Sequence, residues 1–346
     1  MPFRTIVGHH QVLRLLARAV RRDSLPPSLM LAGPDGVGKR RVAIALAQAL
    51  NCLKPVTGPQ AGGFEIDACG ECSACRRIAK GKDGHPDVLL LEIEEGASIK
   101  IKQARDVIEK AVYRPYEGRR RVVIVDPADA MEVSTQNSLL KVLEETPPAT
   151  VFVLVTTRPD ALLPTVRSRC PRIRFGELTT SEITTILMRE ARMPEREARA
   201  AAIIAGGSAA RAVEAASEEA TEARGKALVL LQEAAAGGDR ARLHERMKAE
   251  LGLDKRPSPP AAVERVRVGT SLRAMSSLLR DLSLLGERGA GAEIANADLS
   301  ADLEPLVPSF GRDRVMRAFA AVDRALTAIR GNASPKLVAG WLAHQL

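Results

Sequence analysis

Leu29-Met30-Leu31-Ala32-Gly33-Pro34-Asp35-Gly36-Val37-Gly38-Lys39-Arg40 decides the fold of this 346-residue chain. A short apolar run enters a glycine-rich loop, and a helical pattern over residues 42–50 follows it, which is the strand–loop–helix context of a phosphate-binding loop. In such a loop, backbone N–H groups cradle phosphates and the lysine reaches the terminal ones. The next residue is ordinarily Ser or Thr, whose hydroxyl holds Mg²⁺; Arg40 has no lone pair for a metal. The partner strand is Arg121-Val122-Val123-Ile124-Val125, ending at Asp126-Pro127. Proline stands there where a water-orienting glutamate is needed. Two catalytic positions are missing from one site, so the residues read as a nucleotide-hydrolase domain that has lost hydrolysis. Gly33, Gly36, Gly38 and Lys39 still suit phosphate, which leaves nucleotide binding open.

Outward from the loop, helical patterns over residues 11–20, 42–50, 101–112 and 134–143 alternate with strand patterns over 29–31, 88–91, 121–125 and 151–155. That alternation predicts an α/β domain with a parallel sheet over residues 1–177. After Phe175 the strand patterns stop, and short helices over 181–191, 195–205 and 209–216 predict a small helical domain at 178–223. From 224 to 346 the chain reads as a third, all-helical domain. It is interrupted at Gly237-Gly238, at 257–260 and at the Gly/Ala-rich 286–297, with a last helix over 335–346.

The formal charge is +9, and residues 1–177 carry 27 Lys/Arg against 20 Asp/Glu, so most of the excess lies in the first domain. Such an excess is compatible with nearby nucleic acid, although arginine-rich composition alone also produces it. Aromatics at 3% argue against a base-stacking platform for single strands. No apolar run approaches the roughly 20 residues of a membrane span, and the N-terminus lacks a secretory apolar segment, so a cytoplasmic protein is expected.

Cys52, Cys69, Cys72 and Cys75 form a second signal, inserted between the helix after the loop and the next strand. Two overlapping C-x-x-C steps and a fourth thiolate match a closed tetrahedral zinc site, structural because no coordination position is left open. An iron–sulfur cluster also takes four cysteines. His85, before Pro86-Asp87, reads as a turn residue.

The third signal is Leu163-Pro164-Thr165-Val166-Arg167-Ser168-Arg169-Cys170. With Val7-Gly8-His9-His10-Gln11, Ser24-Leu25-Pro26-Pro27-Ser28, the cysteine quartet, His85-Pro86-Asp87 and Asn137-Ser138-Leu139-Leu140-Lys141-Val142-Leu143-Glu144-Glu145-Thr146-Pro147-Pro148, it resembles the delta-prime subunits of bacterial DNA polymerase III clamp loaders. These are members of the AAA+ superfamily. The similar gamma/tau subunits keep Thr after the loop lysine and an intact Asp-Glu pair, so Arg40 and Pro127 favour delta-prime. Gly207-Ser208-Ala209-Ala210-Arg211 resembles the family's sensor 2 run, with Ala210 where arginine is expected. Past Arg224 the likeness is confined to Arg330-Gly331-Asn332-Ala333-Ser334-Pro335-Lys336-Leu337.

The resemblance implies an AAA+ domain, a lid, and a C-terminal collar joining a five-subunit ring with gamma/tau and delta subunits. It implies that Arg169 acts in trans as an arginine finger on a neighbour's ATP while this chain does not hydrolyse its own. It further implies a ring that loads a sliding clamp on primer–template DNA. Two other classes stand beside this reading: an active ATPase whose metal is held by unusual groups, and a zinc-containing DNA-binding scaffold suggested by Arg76, Arg77, Lys80 and Lys82 beside Cys75.

Overall fold

A computed structural model describes the chain except residues 95–97, 216, 238–239, 255–259, 289–293 and 332. The breaks expected at Gly238, at 257–259 and within 286–297, and Asn332 of the C-terminal run, fall at least partly outside the described residues.

In chain order the elements are α1 (His10–Arg21), β1 (Ser28–Ala32), α2 (Lys39–Asn51), α3 (Ser73–Ala79), β2 (Val88–Leu91), α4 (Ile101–Val112), β3 (Arg121–Val125), α5 (Val133–Glu144), β4 (Thr150–Thr156), α6 (Pro164–Arg167) and β5 (Arg172–Arg174). Helices follow: α7 (Thr180–Glu190), α8 (Glu195–Ile204), α9 (Ala209–Ala215), α10 (Glu218–Ala235), α11 (Arg240–Glu250), α12 (Ala261–Arg288), α13 (Ser300–Leu303), α14 (Arg312–Arg330) and α15 (Pro335–Ala343).

The chain divides into two compact units, one of residues 1–186 with 206–210, the other of 187–205 with 211–346. In the first, five parallel strands run in the order β2-β3-β4-β1-β5, as the α/β pattern predicts. Alternate side chains of each central strand enter opposite cores. Leu29, Leu31, Val122, Ile124, Val151 and Val153 pack on one side, with Leu13 and Leu16 of α1 and Val42 and Leu46 of α2. Met30, Val123, Val125, Phe152 and Leu154 pack on the other, with Ala104 of α4 and Leu139 and Leu143 of α5. Burial on both faces is why these strands read as continuous apolar runs rather than alternating ones.

Three elements of the first unit escaped the sequence: α3, the four-residue α6 and β5. β5 is three residues, two of them exposed arginines, and exists because Met30 to Ala32 of β1 pair with it. α3 is capped by a cysteine, Cys72, whose sulfur accepts the Cys75 N–H at 3.4 Å.

The second unit is a helical assembly. Leu230 and Leu231 of α10, Leu272, Met275, Leu279 and Leu282 of α12, and Val322 and Leu326 of α14 share one core. No helix among the described residues is long and apolar enough to cross a membrane.

Candidate functional site

The phosphate loop leaves the carboxyl end of β1 and turns into α2, whose first residue is Lys39. Gly33 N–H donates to Thr156 O at 3.3 Å, tying the loop's start to β4. Two later glycines have left-handed backbones, Gly36 at φ 72° and Gly38 at φ 100°. A Cβ on Gly36 would also fall 2.2 Å from Ser208 Oγ. His9 steadies the loop from outside, its Nε2 lying 2.9 Å from Val37 O and its ring against Phe175. The N-terminal N–H groups and dipole of the 13-residue α2 thus face the loop, an arrangement that suits an anion.

The lysine and its successor are both committed within the chain. Lys39 is 5% exposed and donates to the carbonyls of Gly33 and Pro34. Burial lowers its pKa, against the opposing pull of Asp35, Asp126 and Asp129. Arg40 pairs with Glu92 at 2.9 Å and Asp126 at 3.4 Å, so a guanidinium meets the two acids at the ends of β2 and β3. Burial raises the Asp126 pKa, and Arg40 pulls it back. Glu92, absent from the sequence reading, lies 52 residues from Arg40 and comes to it only through the pairing of β2 with β3. Asp129 caps the neighbouring strand end, accepting from Thr156 Oγ1 at 2.7 Å and Thr157 N–H at 3.2 Å. Ala210 N–H donates to Gly36 O at 3.2 Å, so the alanine of the sensor-like run abuts the loop, while Arg211 is exposed.

Arg169 lies at the opposite end of the sheet. Its carbonyl accepts from Ser28 Oγ at 2.7 Å, at the amino end of β1, and Pro171 O accepts Met30 N–H as β5 begins. Four strand steps of about 3.3 Å separate Ser28 from Ala32, so the loop is about 13 Å or more away, beyond an arginine's reach. The guanidinium is one-third exposed, donates to Thr165 O at 2.8 Å and pairs with Glu144 at the end of α5. It borders a hollow of about 520 Å³ lined also by Pro26, Pro27 and Leu143. On α5, Asn137, Lys141, Glu144 and Glu145 are exposed, with Leu139, Val142 and Leu143 buried behind them. Arg167, by contrast, pairs with the exposed Asp160 at 2.5 Å.

The four cysteines converge. Their sulfurs all lie within 4.8 Å of one another, Cys52 to Cys69 at 3.5 Å and Cys69 to Cys75 at 4.0 Å. Thiolates about 2.3 Å from one metal ion sit somewhat under 4 Å apart, so the donor set fits a single tetrahedral ion, whereas a multi-iron cluster would spread its ligands farther. Burial pushes the Cys52 and Cys75 thiols up. At Cys72 burial pushes up too, but hydrogen bonds from the Cys75 and Leu53 N–H groups and neighbouring thiols prevail and bring it to about 6. Asp67 anchors the module: buried, it accepts from the Phe3 and Arg4 N–H groups at 2.8 and 3.1 Å and pairs with the Arg4 guanidinium at 3.0 Å. The adjacent basic run is largely engaged, Arg77 with Glu117, Lys82 with Glu94 and Arg76 with Glu71 O. His85 is buried, its Nδ1 accepting Asp87 N–H at 3.2 Å and its Nε2 3.3 Å from Glu117, a turn residue remote from the sulfur cluster's donor set.

Residues 8–179 match the family described as DNA polymerase III, delta subunit. Over 142 residues, 41% of this chain and 40% of the relative, the sequence is 44% identical to the DNA polymerase III subunit delta' of Pseudomonas aeruginosa. Over 182 residues, 53% of this chain and 25% of the relative, it is 31% identical to the DNA polymerase III subunit tau/gamma of Haemophilus influenzae. The match therefore spans less than half the length of these curated relatives. A solved DNA polymerase III, gamma subunit-related protein from Thermotoga maritima shares the fold, with a TM-score of 0.51 and 18% identity over 95% of this chain and 96% of that one.

Proposed function

We infer, for a chain that belongs to the delta-prime family of DNA polymerase III clamp-loader subunits and has the α/β fold of AAA+ proteins, that it is a non-hydrolysing ring member which lends Arg169 to a neighbour's ATP. The observation that carries this reading is the separation of Arg169 from its own phosphate loop: it borders an open hollow at one end of β1 while the loop leaves the other. A finger works through a fixed fork of donors that meets charge developing on the transferring phosphoryl group. Its pairing with Glu144 is partly exposed and weak enough to exchange for a phosphate.

Lack of hydrolysis rests on the other end of the sheet. Arg40 brings positive charge to Glu92 and Asp126 but offers no ligand to Mg²⁺, and Pro127 offers no group to orient water. Gly33, Gly38 and Lys39 retain the capacity to hold phosphate. The same geometry weighs against an active ATPase, and the engaged basic run beside Cys75 weighs against a DNA-binding module there. Cys52, Cys69, Cys72 and Cys75 would hold a structural zinc ion, which when bound cross-links the insertion into one folded module.

In this reading residues 1–177 form the AAA+ domain, 178–223 a lid and 224–346 a collar. The partners are gamma/tau and delta subunits in a five-membered cytoplasmic ring that places a sliding clamp on primer–template DNA. The test is reconstitution of the clamp loader with Arg169→Ala and, separately, Arg167→Ala. Arg169→Ala is expected to assemble but to lower clamp-loading ATPase roughly tenfold or more, since a finger contributes about 10³–10⁵ at the site it serves. Arg167→Ala is expected to act like the parent. Equal ATPase in all three complexes would make the chain a structural wedge of the ring.

A further inference from the structure

The helical unit encloses a cavity of about 450 Å³ between α8, α9, α10, α12 and α14. Four arginines line it, Arg211, Arg224, Arg273 and Arg280, and among the described residues Glu214 is the one acid in its wall. Arg273 and Arg280 are seven residues apart on α12, two turns along one face, so their side chains stack toward the same space.

On Arg224 and Arg280 the positive charge is only loosely answered. Arg273 pairs with Glu214 and with Thr270 Oγ1. Arg224 reaches Asp298 only at 3.4 Å and Arg280 reaches Asp281 only at 3.7 Å. Asp281 is already engaged by the N–H groups of Ala295 and Asn296 and by Asn296 Nδ2. The Nε atoms of Arg224 and Arg280 are buried and make no hydrogen bond within the described residues. Those two atoms are closed to any ligand, but the side chains of Arg224 and Arg280 are 22% and 41% exposed, so their terminal N–H groups are the ones an anion in the cavity would meet. Thr270, Ser276 and Ser277 add hydroxyls to the wall, and Ile204, Leu326 and the ring of Phe319 give it an apolar part.

We propose that this cavity binds a small phosphate-bearing anion of two or more charges with an apolar or aromatic body, a nucleotide being the simplest member of the class. Guanidinium forks meet phosphate oxygens two at a time, and the volume falls within the roughly 300–1,000 Å³ of small-molecule sites. Phe319 and Leu326 would take the body of the ligand. The site lies in the second unit and shares no residue with the phosphate loop, so it stands whether or not Arg169 acts in trans.

The test uses the full chain carrying Lys39→Ala, which disables the phosphate loop, titrated calorimetrically with pyrophosphate and with ADP in the absence of divalent cations. Binding of both is expected, ADP more tightly because it adds a body, with at least a tenfold loss on Arg280→Gln. If circular dichroism shows that Arg280→Gln is misfolded, Arg211→Gln replaces it. In the parent chain, hydrogen exchange on adding ADP is expected to slow in 209–215 and 270–280. The proposal fails if neither probe binds at millimolar concentration, if a folded arginine variant binds as the parent does, or if protection is confined to residues 33–41. It fails equally if an acidic peptide protects these helices and neither phosphate probe does.

Discussion

Arg40 is a cation covalently supplied where an enzyme of this construction recruits a metal ion. Its removal by Arg40→Thr would leave Glu92 and Asp126 facing one another with a hydroxyl restored beside them. Such a variant is expected to gain Mn²⁺ binding, readable by paramagnetic resonance, while the parent shows none; equal signals from both would refute the role given to Arg40. At Arg169, Glu144→Gln is expected to change unfolding free energy by less than about 1 kcal/mol in urea titration, because the pair it breaks is partly exposed. The defects at Arg40 and Pro127 were legible in the sequence because each is a local substitution in a motif whose chemistry is known. The pairing of Arg40 with Glu92 and of Arg169 with Glu144 was not. Glu92 and Glu144 stand 52 and 25 positions from the arginines they meet, and only strand order and helix docking bring them there.

Among the elements, the cysteine insertion and the turn before β2 are held by different chemistry. Loss of the proposed zinc ion, by chelation or by Cys72→Ser, is expected to open residues 52–79 to limited proteolysis while the sheet stays protected, since metal ligation contributes folding free energy where it occurs. Uniform cleavage across the first unit would contradict this. The turn rests on Asp87, fully buried, which accepts the N–H groups of Tyr116, Glu117 and Gly118 and pairs with Arg121 at 2.8 Å. Burial alone would raise its pKa, but those donors outweigh burial and hold it at about 2. A carboxylate depressed in the folded state stabilises fully above its ordinary value near 4 and loses that contribution as pH falls from about 4 toward 2. Asp87→Ala is expected to cost about 3 kcal/mol at neutral pH by leaving Arg121 buried without its partner, and to flatten the acid limb of stability against pH. Most elements of this unit were legible because apolar strands and amphipathic helices announce themselves by period. β5 and α3 did not, the one existing through its neighbour's hydrogen bonds and the other through its cysteines.

For the whole molecule, the proposed division of labour predicts that the isolated chain shows no ATP turnover at saturating Mg²⁺, and turnover abolished by Lys39→Ala would overturn it. Most of the α/β unit was readable. In the helical unit the helices could be marked but not their docking, since alanine-rich segments fit many neighbours, and so its arginine-walled cavity left no trace in the pattern of residues. The short strand at the margin of the sheet carries one last consequence. β5 offers its free backbone groups to solvent over only three residues and flanks them with Arg172 and Arg174, both exposed. If the chain stands beside relatives of its own fold, as proposed, it runs a particular danger, that sheets zip together edge to edge into fibres instead of meeting through side chains. Brevity and like charge close that route. Repulsion at this margin leaves recognition to the loops and helices around it.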